Sequence, residues 1–331
     1  MEVAVEFRTA RAAQRFVIDE ASKVGEARRA AQTLANFEFN ADLASDVAIA
    51  ATELANNLNR HAGGGELIVQ HIGDDDHSVI ELLAIDRGPG MADVAKCLTD
   101  GYSTIGTPGT GLGAVRRLAN DFDIYSHPGE GTVVMARFGH ELPVRHGAVN
   151  ITVEGEVECG DAWKVARGEE GIAVVVVDGL GHGSFAAEAA RACLDAFDAS
   201  PFAPPQEVMT RANAAMSKTR GGAAASALLV GDRLSYSGVG NIGGTLVSAG
   251  KSQGLVSHNG TLGINQRRAQ QFEYRCEPRA LLVMHSDGVS GRWDLKHRPD
   301  LLGCHPSVIA GVLYRDHRRE RDDATVVVVA P

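Results

Sequence analysis

Apolar positions recur along this chain in two rhythms, one helical and one of period two, and the changes between them lay out its elements. A short alternating strand is predicted at Glu2–Phe7, followed by a helical stretch to about Ala35. From about Asp42 to His61, Leu43, Val47, Ala50, Leu54 and Leu58 return every three or four residues, which is the stripe of an amphipathic helix. Strands fit Glu66–His71 and Val79–Ile85, a helix fits Gly113–Asn120, and two further strands fit Phe122–Ser126 and Gly131–Phe138. The stretch Gly139–Gly147 is polar, contains a proline and has no period. It divides the chain into a domain at 1–142, a linker at 143–147 and a domain at 148–331.

Beyond the linker, strands are predicted around Val149–Glu158 and Trp163–Ala166. The run Gly171–Val177 is continuous rather than alternating, the pattern of a strand buried on both faces. Helices fit Ser184–Ala199 and Pro205–Lys218, then strands fit Ala224–Val230 and Arg233–Val239, joined by the hairpin pair Gly231-Asp232. Later strands fit Thr245–Ser248, Gln271–Cys276, Ala280–Ser286 and Ala324–Val329, with a helix near Pro306–Arg318. The expectation is a two-domain α/β protein whose second part is richer in strands.

Composition narrows the function. A length of 331 residues suits two domains, each with its own core. The 42 acidic against 32 basic side chains argue against a nucleic-acid surface. No apolar run approaches the ~18 residues of a membrane span, so no membrane partner is expected. The start MEVAVEFRTARAAQ lacks a basic end followed by an apolar block, and the expected location is cytoplasmic. Cys97, Cys159, Cys193, Cys276 and Cys304 are odd in number and lack a CxxC pair, which excludes a disulfide or zinc framework.

The first chemical constellation begins on the long helix. Glu53 and Asn57 lie one turn apart on a face beside the apolar stripe. Such a pair can hold Mg²⁺ through the amide carbonyl and supply a carboxylate base, although alone it also fits a solvated helix face. Asp86 then ends an apolar strand and is followed by Gly88 and Gly90, so the backbone turns sharply away from a carboxylate. The loop STIGTPGTGLG enters a helix, a ready cradle for phosphates. It is not preceded by a strand, as a dinucleotide fingerprint would be, and no P-loop is present.

In order, ELANN, DRGPGM, GTGLG and Gly131-Thr132 resemble the boxes of the histidine-kinase-like (GHKL, Bergerat fold) ATPases. ATELANNLNRHAGGG and STIGTPGTGLGAVRRLANDFDIYSHPGEGT are similar to switch-protein serine kinases of the RsbT and anti-sigma-factor type. This resemblance covers roughly residues 1–140 and implies an α/β sandwich that binds ATP with one Mg²⁺ or Mn²⁺. It implies that Asp86 bonds the adenine amino group, Asn57 binds the ion on the phosphates, and Glu53 is the base towards a protein serine. Gly109, Thr110, Gly111, Leu112 and Gly113 would form a lid over the triphosphate, with Gly88, Gly90 and Thr132 in the same nucleotide-binding boxes. The sequence shows no phosphoacceptor histidine domain, and His61 reads as a helix-end residue.

The second constellation repeats one grammar. Ala173–Val177 runs into Asp178-Gly179-Leu180-Gly181-His182-Gly183, and Ala280–Ser286 runs into Asp287-Gly288. Asp322-Asp323 leads into the last strand, and Asp161 stands upstream. Any one Asp-Gly is also an ordinary turn. Carboxylates gathered at strand ends repel one another, and oxygen-only donors favour Mg²⁺ or Mn²⁺. Two such ions can activate a water for in-line attack on phosphorus.

ECGDAW, VVVVDGLGHG, NAAMSKTRGGAAASALL, GVGNIGG, MHSDGVSGRW and RDDATVVVV resemble the metal-dependent PP2C-like (PPM) phosphatases of the SpoIIE and RsbX branch. The resemblance spans roughly 148–331 and implies an αββα sandwich with two metal ions. Asp178 would bridge them, the Gly179 carbonyl, Asp287 and Asp322 would complete the set, and Asp161 would bind through water. Asp322 is preferred to Asp323 as the first acid of its motif. Two positions depart from the family. Gly160 replaces an extra acid of larger relatives, implying weaker metal binding, and no arginine stands where eukaryotic relatives grip the phosphate. His182 reads as a turn residue or outer contact, with proton donation as the alternative.

Three other features fit structural roles. Asp74–Asp76 reads as a solvated hairpin tip, and Trp163 and Trp293 read as packing beneath the site. Arg315–Arg321 reads as a solvated helix face or, alternatively, a docking patch for an acidic partner. The two resemblances together imply a bifunctional partner-switching regulator, a serine kinase joined to a phosphoserine phosphatase. The implied substrate is a STAS-domain antagonist protein. The alternatives are a first domain that only senses ATP to gate the phosphatase, or one that binds a sigma factor or downstream signalling enzyme.

Overall fold

Phe16, Val17 and Ile18 are aromatic or β-branched, and they fold as a strand where the sequence predicts helix. β1 (Gln14–Ile18) pairs antiparallel with a later strand from Gln14↔Val69 to Ile18↔Gly65, and only then does α1 (Ala21–Glu38) begin. The computed structural model describes residues 13–73, 77–99, 111–264 and 269–331, and the predicted strand at Glu2–Phe7 and the tip Asp74–Asp76 lie outside them. The chain divides into two compact units, Met1–Leu142 and Pro143–Pro331.

In the first unit, α2 (Ala41–Asn57) follows α1, then β2 (Gly65–Gly73), β3 (Ser78–Ile85), α3 (Val94–Cys97), α4 (Gly111–Leu118), β4 (Asp121–His127) and β5 (Gly131–Gly139). The strands form one antiparallel sheet in the order β1-β2-β3-β5-β4. Helices α1 and α2 cover one face of it. Their Val24, Ala27, Leu34, Val47, Ala50 and Leu54 interlock with Leu67, Val69, Ile80, Leu82 and Phe138 from the sheet. Small residues dominate the buried stripe of α2, letting the helix lie close to the sheet. Asn40 caps it by accepting the Leu43 N–H at 3.0 Å. The helical run reaches past His61, in keeping with the sequence, but changes its type on the way. At Leu58 it widens into a π turn, Leu58–Ala62, which the left-handed Gly63 (φ 72) terminates.

The second unit continues with β6 (Arg145–Ile151), β7 (Asp161–Gly168), β8 (Gly171–Gly179), α5 (Ser184–Asp198) and α6 (Pro205–Ala215). Then come β9 (Gly222–Val230), β10 (Arg233–Val239), β11 (Gly243–Ser248), β12 (Lys251–Gly254), β13 (Ser257–His258), β14 (Phe272–Arg275) and β15 (Leu281–His285). α7 (Pro299–Leu302), α8 (Pro306–His317) and β16 (Ala324–Ala330) end the chain. One sheet runs β13-β10-β9-β8-β7, with β14 also on β10, and the other runs β12-β11-β15-β16-β6. Val174, Val176, Ala225, Tyr236, Met284 and Val327 are among the side chains filling the space between them. Helices α5 and α6 pack on the outside of the first sheet through Ala189, Cys193, Phe197, Val208 and Met209. α8 packs on β6 and β16, where a Cβ at Gly147 would come within 2.1 Å of the Ser307 nitrogen. The unit is therefore layered α-β-β-α.

Three local readings change. β6 begins at Arg145, inside the stretch read as linker, because Arg145–Ile151 is a strand partner for the whole of β16. It also ends at Ile151, and residues 152–160 form a loop rather than more strand. Arg315 is buried within α8 and bonded to Asp316 at 2.8 Å, so it is not part of a solvated face. Among the described residues no helix is long and apolar enough to cross a membrane.

Asn40→Ala removes the α2 cap, at an expected cost of about 1 kcal/mol. Native-state hydrogen exchange on the full chain checks this: the α2 amides that open sub-globally should exchange roughly fivefold faster.

Candidate functional site

Among the described residues, each unit gathers candidate functional side chains at the ends of its elements. In the first, α4 packs against α2 so closely that a Cβ on Gly111 would stand 3.3 Å from the Glu53 Oε2 and 3.4 Å from the Asn57 Oδ1. Glu53, Asn57 and the α4 N-terminus are thus brought together. The Asn57 Nδ2 is buried and has no hydrogen-bond partner among the described residues. An orphaned donor beside a carboxylate and a helix N-terminus fits a polyanion and its cation. Leu112 packs against the core and Gly113 is buried, while Gly109 and Thr110 lie outside the described residues.

Asp86 is fixed at the end of β3 by the neighbouring strand. Its N–H donates to the Thr132 carbonyl at 2.9 Å. Its Oδ1 accepts from the Gly88 N–H at 2.8 Å and the Thr132 N–H at 3.1 Å. The Thr132 hydroxyl is 2.8 Å from that of Ser126. Glycine is required around this carboxylate: at Gly90 (φ 69) a Cβ would fall 1.9 Å from the His127 carbonyl oxygen.

In the second unit the register of β7 and β8 places Asp161 directly opposite Asp178, so the two carboxylates share one face. Gly179 is the last residue of β8, its N–H donating to the Gly160 carbonyl at 2.9 Å. Asp287 follows β15, and Asp322 precedes β16. Asp161 is buried and accepts from the Ser286 hydroxyl at 2.6 Å. Asp287 accepts from the Asn241 amide at 2.6 Å. Asp322 accepts from the Asp323 N–H at 2.9 Å, and its carboxyl lies close enough to Asp287 to be raised by it.

The cluster is electrostatically strained. Burial, together with Asp161, Asp287 and Asp322, pushes the Asp178 carboxyl up to about 9. Burial raises Asp161 to about 7, against the opposing hydrogen bonds of Ser286 and Thr325. Burial and then Asp287 raise Asp322. Among the described residues no three His, Cys, Asp or Glu side chains are already arranged as a metal cage. An all-oxygen set whose members repel nonetheless fits Mg²⁺ or Mn²⁺, whose charge would offset that repulsion.

Asp323 does different work from its neighbour. It is 2% exposed, and its two oxygens accept from the Val153 and Gly160 N–H groups, each at 2.7 Å. It clasps the 152–160 loop, and both of its oxygens are engaged in doing so. A Cβ on Gly160 would sit 2.7 Å from the Ala186 Cβ and 2.9 Å from Asp323 Oδ2, leaving no room for another acid. His182 is exposed, its Nδ1 2.6 Å from Glu156 Oε1. Trp163 meets His146 edge-on, and Trp293 meets His285 in the same way.

Sequence reasoning assigned no part to Asn241, Ser286 or the Asp323 clasp. GVGNIGG and MHSDGVSGRW contain the first two, and a polar side chain inside an otherwise small or apolar motif was the available signal.

Residues 17–138 match the histidine kinase-like ATPase domain family, and residues 168–330 match the stage II sporulation protein E (SpoIIE) family. Serine/threonine-protein kinase RsbT of Bacillus subtilis (strain 168) is 38% identical over 90 residues, 27% of this chain and 68% of that protein. Phosphoserine phosphatase RsbX of the same organism is 28% identical over 141 residues, 41% of this chain and 70% of that protein. A crystal structure of RsbX in complex with magnesium has the same fold, with a TM-score of 0.52 and 23% identity over 58% of this chain and 97% of that one.

Two outcomes are expected. Asp178→Asn relieves repulsion, so the metal-free full chain should melt about 3 °C higher, the equivalent of roughly 1 kcal/mol, and should lose most of any Mn²⁺-induced stabilisation. Calorimetry with and without Mn²⁺ measures both. Asp323→Ala leaves the buried Gly160 N–H and the half-buried Val153 N–H unpaired and should cost about 2 kcal/mol or more. Asp322→Ala should leave the metal-free melting point near that of the wild type, and parallel thermal melts distinguish the pair.

Proposed function

The chain belongs to the histidine kinase-like ATPases in its first unit and to the SpoIIE-type, PP2C-like metal-dependent serine/threonine phosphatases in its second, and on that premise we propose that it writes and erases one phosphoserine. The substrate in this reading is a STAS-domain antagonist protein whose phosphorylation switches its partners. The observation that carries the reading is the placement of Glu53 and Asn57 together at the N-terminus of α4. A domain that only sensed nucleotide would not need a carboxylate there.

In the first unit, Asp86 would accept from the adenine amino group, its orientation fixed by the Gly88 and Thr132 N–H groups. Asn57 would hold the ion on the phosphates, and the first turn of α4 would face the phosphates themselves. Glu53 would take the proton from the substrate serine as it attacks the γ-phosphorus. In the second unit, Asp161, Asp178, the Gly179 carbonyl, Asp287 and Asp322 would hold two ions. Bound divalent ions supply Lewis-acid activation of a water and neutralise charge on the phosphoryl oxygens. The chain's own part is to keep these oxygens converging: Ser286 orients Asp161, Asn241 orients Asp287, and Asp323 fixes the loop carrying Gly160.

The test uses the full chain, ATP, Mn²⁺ at constant free concentration and a cognate STAS-domain protein. Asp178→Ala should abolish p-nitrophenyl phosphate hydrolysis and let phosphoserine accumulate on the STAS protein. Glu53→Gln should slow phosphorylation by about 100-fold or more while still binding ATP. Transfer by Glu53→Gln at the wild-type rate overturns the kinase half. If no transfer occurs and hydrolysis instead changes with ATP, the first unit gates the phosphatase.

A further inference from the structure

The carboxylate cluster of the second unit presents its substrate, a phosphate dianion, with a face of the same sign. The family pattern supplies no arginine at the usual place, but the fold brings one from elsewhere. The β8–β9 ladder pairs Asp178 with Ala223 and Gly179 with Gly222, and it extends past the strands through the Leu180 N–H to the Gly221 carbonyl at 2.9 Å. Residue 220 is thereby set beside the turn that follows Asp178. A Cβ on Gly181 would lie 3.3 Å from the Arg220 Nη1. Gly181 (φ 88) and Gly221 (φ 73) are both left-handed, a conformation that few other residues adopt.

The guanidinium also has a support. Its Cζ lies 4.7 Å from the centroid of the Phe185 ring. Phe185 opens α5 and is 58% exposed, so its ring serves the surface rather than the core. A guanidinium stacked on a ring face keeps its N–H edge available. Among the described residues Arg220 has no acidic partner, whereas Arg191 and Arg211 on α5 and α6 are engaged by Glu158 and Glu207. Leu180, 53% exposed, adds an apolar rim to the same mouth.

We propose that Arg220, held on Phe185, grips the phosphoryl group of the phosphoserine substrate at the mouth of the Asp161–Asp178 cluster. The inference rests on the reading of the second unit as a phosphatase. A planar fork of N–H donors can take two phosphoryl oxygens at once, and its charge offsets the repulsion between the dianion and the carboxylates. The exposed Phe185 and Leu180 would border the peptide on either side of the phosphoserine.

The experiment compares wild type, Arg220→Met and Arg220→Lys in the Mn²⁺-loaded full chain. Methionine keeps an unbranched stem over Phe185 without the charge. KM and kcat are measured with p-nitrophenyl phosphate, and binding of inorganic phosphate is measured by calorimetry. In Arg220→Met, KM and the phosphate Kd should both rise about tenfold or more, with kcat changed by less than about threefold. Arg220→Lys should recover part of the loss, and thermal melting should not change. An active wild type with KM and phosphate affinity unaltered in Arg220→Met overturns the proposal. So does a fall in melting temperature and kcat without a change in either constant. A wild type that binds phosphate through Arg220 but hydrolyses nothing overturns the phosphatase reading and leaves the grip standing.

Discussion

Carboxylates that repel one another are held together at one end of a β-sandwich, and much of the second unit is arranged to keep them there. Asp161 and Asp178 are separated only by the spacing of paired strands, while Asp287 and Asp322 arrive from the loops at the ends of β15 and β16. Uncompensated, this is a destabilising arrangement, as the upward displacement of Asp178 by burial and four neighbouring acids attests. The sheet interiors supply what opposes it. β8 is a nearly unbroken run of valines packed on both faces, against α5 on one side and the facing sheet on the other. The site thus depends on a rigid frame, which lets the repulsion persist.

The first unit solves a related problem with less charge. Its polar groups gather where two helices and a strand end approach closely, and small residues make the approach possible. α2 meets the sheet through alanines, α4 meets α2 through Gly111, and the Asp86 turn is threaded by Gly88 and Gly90. The π turn directly after Asn57 ends the helix within a residue of its functional face. In both units the backbone, through glycine and sheet register, fixes the distances between the acids, and side-chain hydrogen bonds set only their orientation.

What could be read from the sequence was local. An acid that follows an apolar run and stands just before a glycine marks a strand end, and Asp86, Asp178 and Asp287 were legible for that reason. The stripe of α2 placed Glu53 and Asn57 on one face without any knowledge of the fold. The layered α/β architecture followed from the same rhythms. β1 was missed because Phe16, Val17 and Ile18 form a run too short to alternate, and pairing with β2 decided its state. Contacts across long stretches of chain were invisible. Asp323 reaches Val153 and Gly160 across 170 and 163 residues, and Asn241 reaches Asp287 across 46. Such partners emerge only when strands from opposite ends of the chain lie side by side. Buried Arg315 was misread for a related reason, since a charge run does not disclose which of its members faces the protein.

The pairing of Asp161 with Asp178 bears also on how the molecule becomes correct. A strand slipped by one residue turns every side chain to its opposite face. If β7 paired with β8 one position out of step, Asp161 would point away from Asp178, and the oxygens at that end of the sandwich would no longer converge. A divalent ion would find little to bind in such a molecule. On the metal-binding reading, cations would stabilise only chains whose strands have met in the right alignment, and the metal would act as an inspector of assembly before any phosphate arrives.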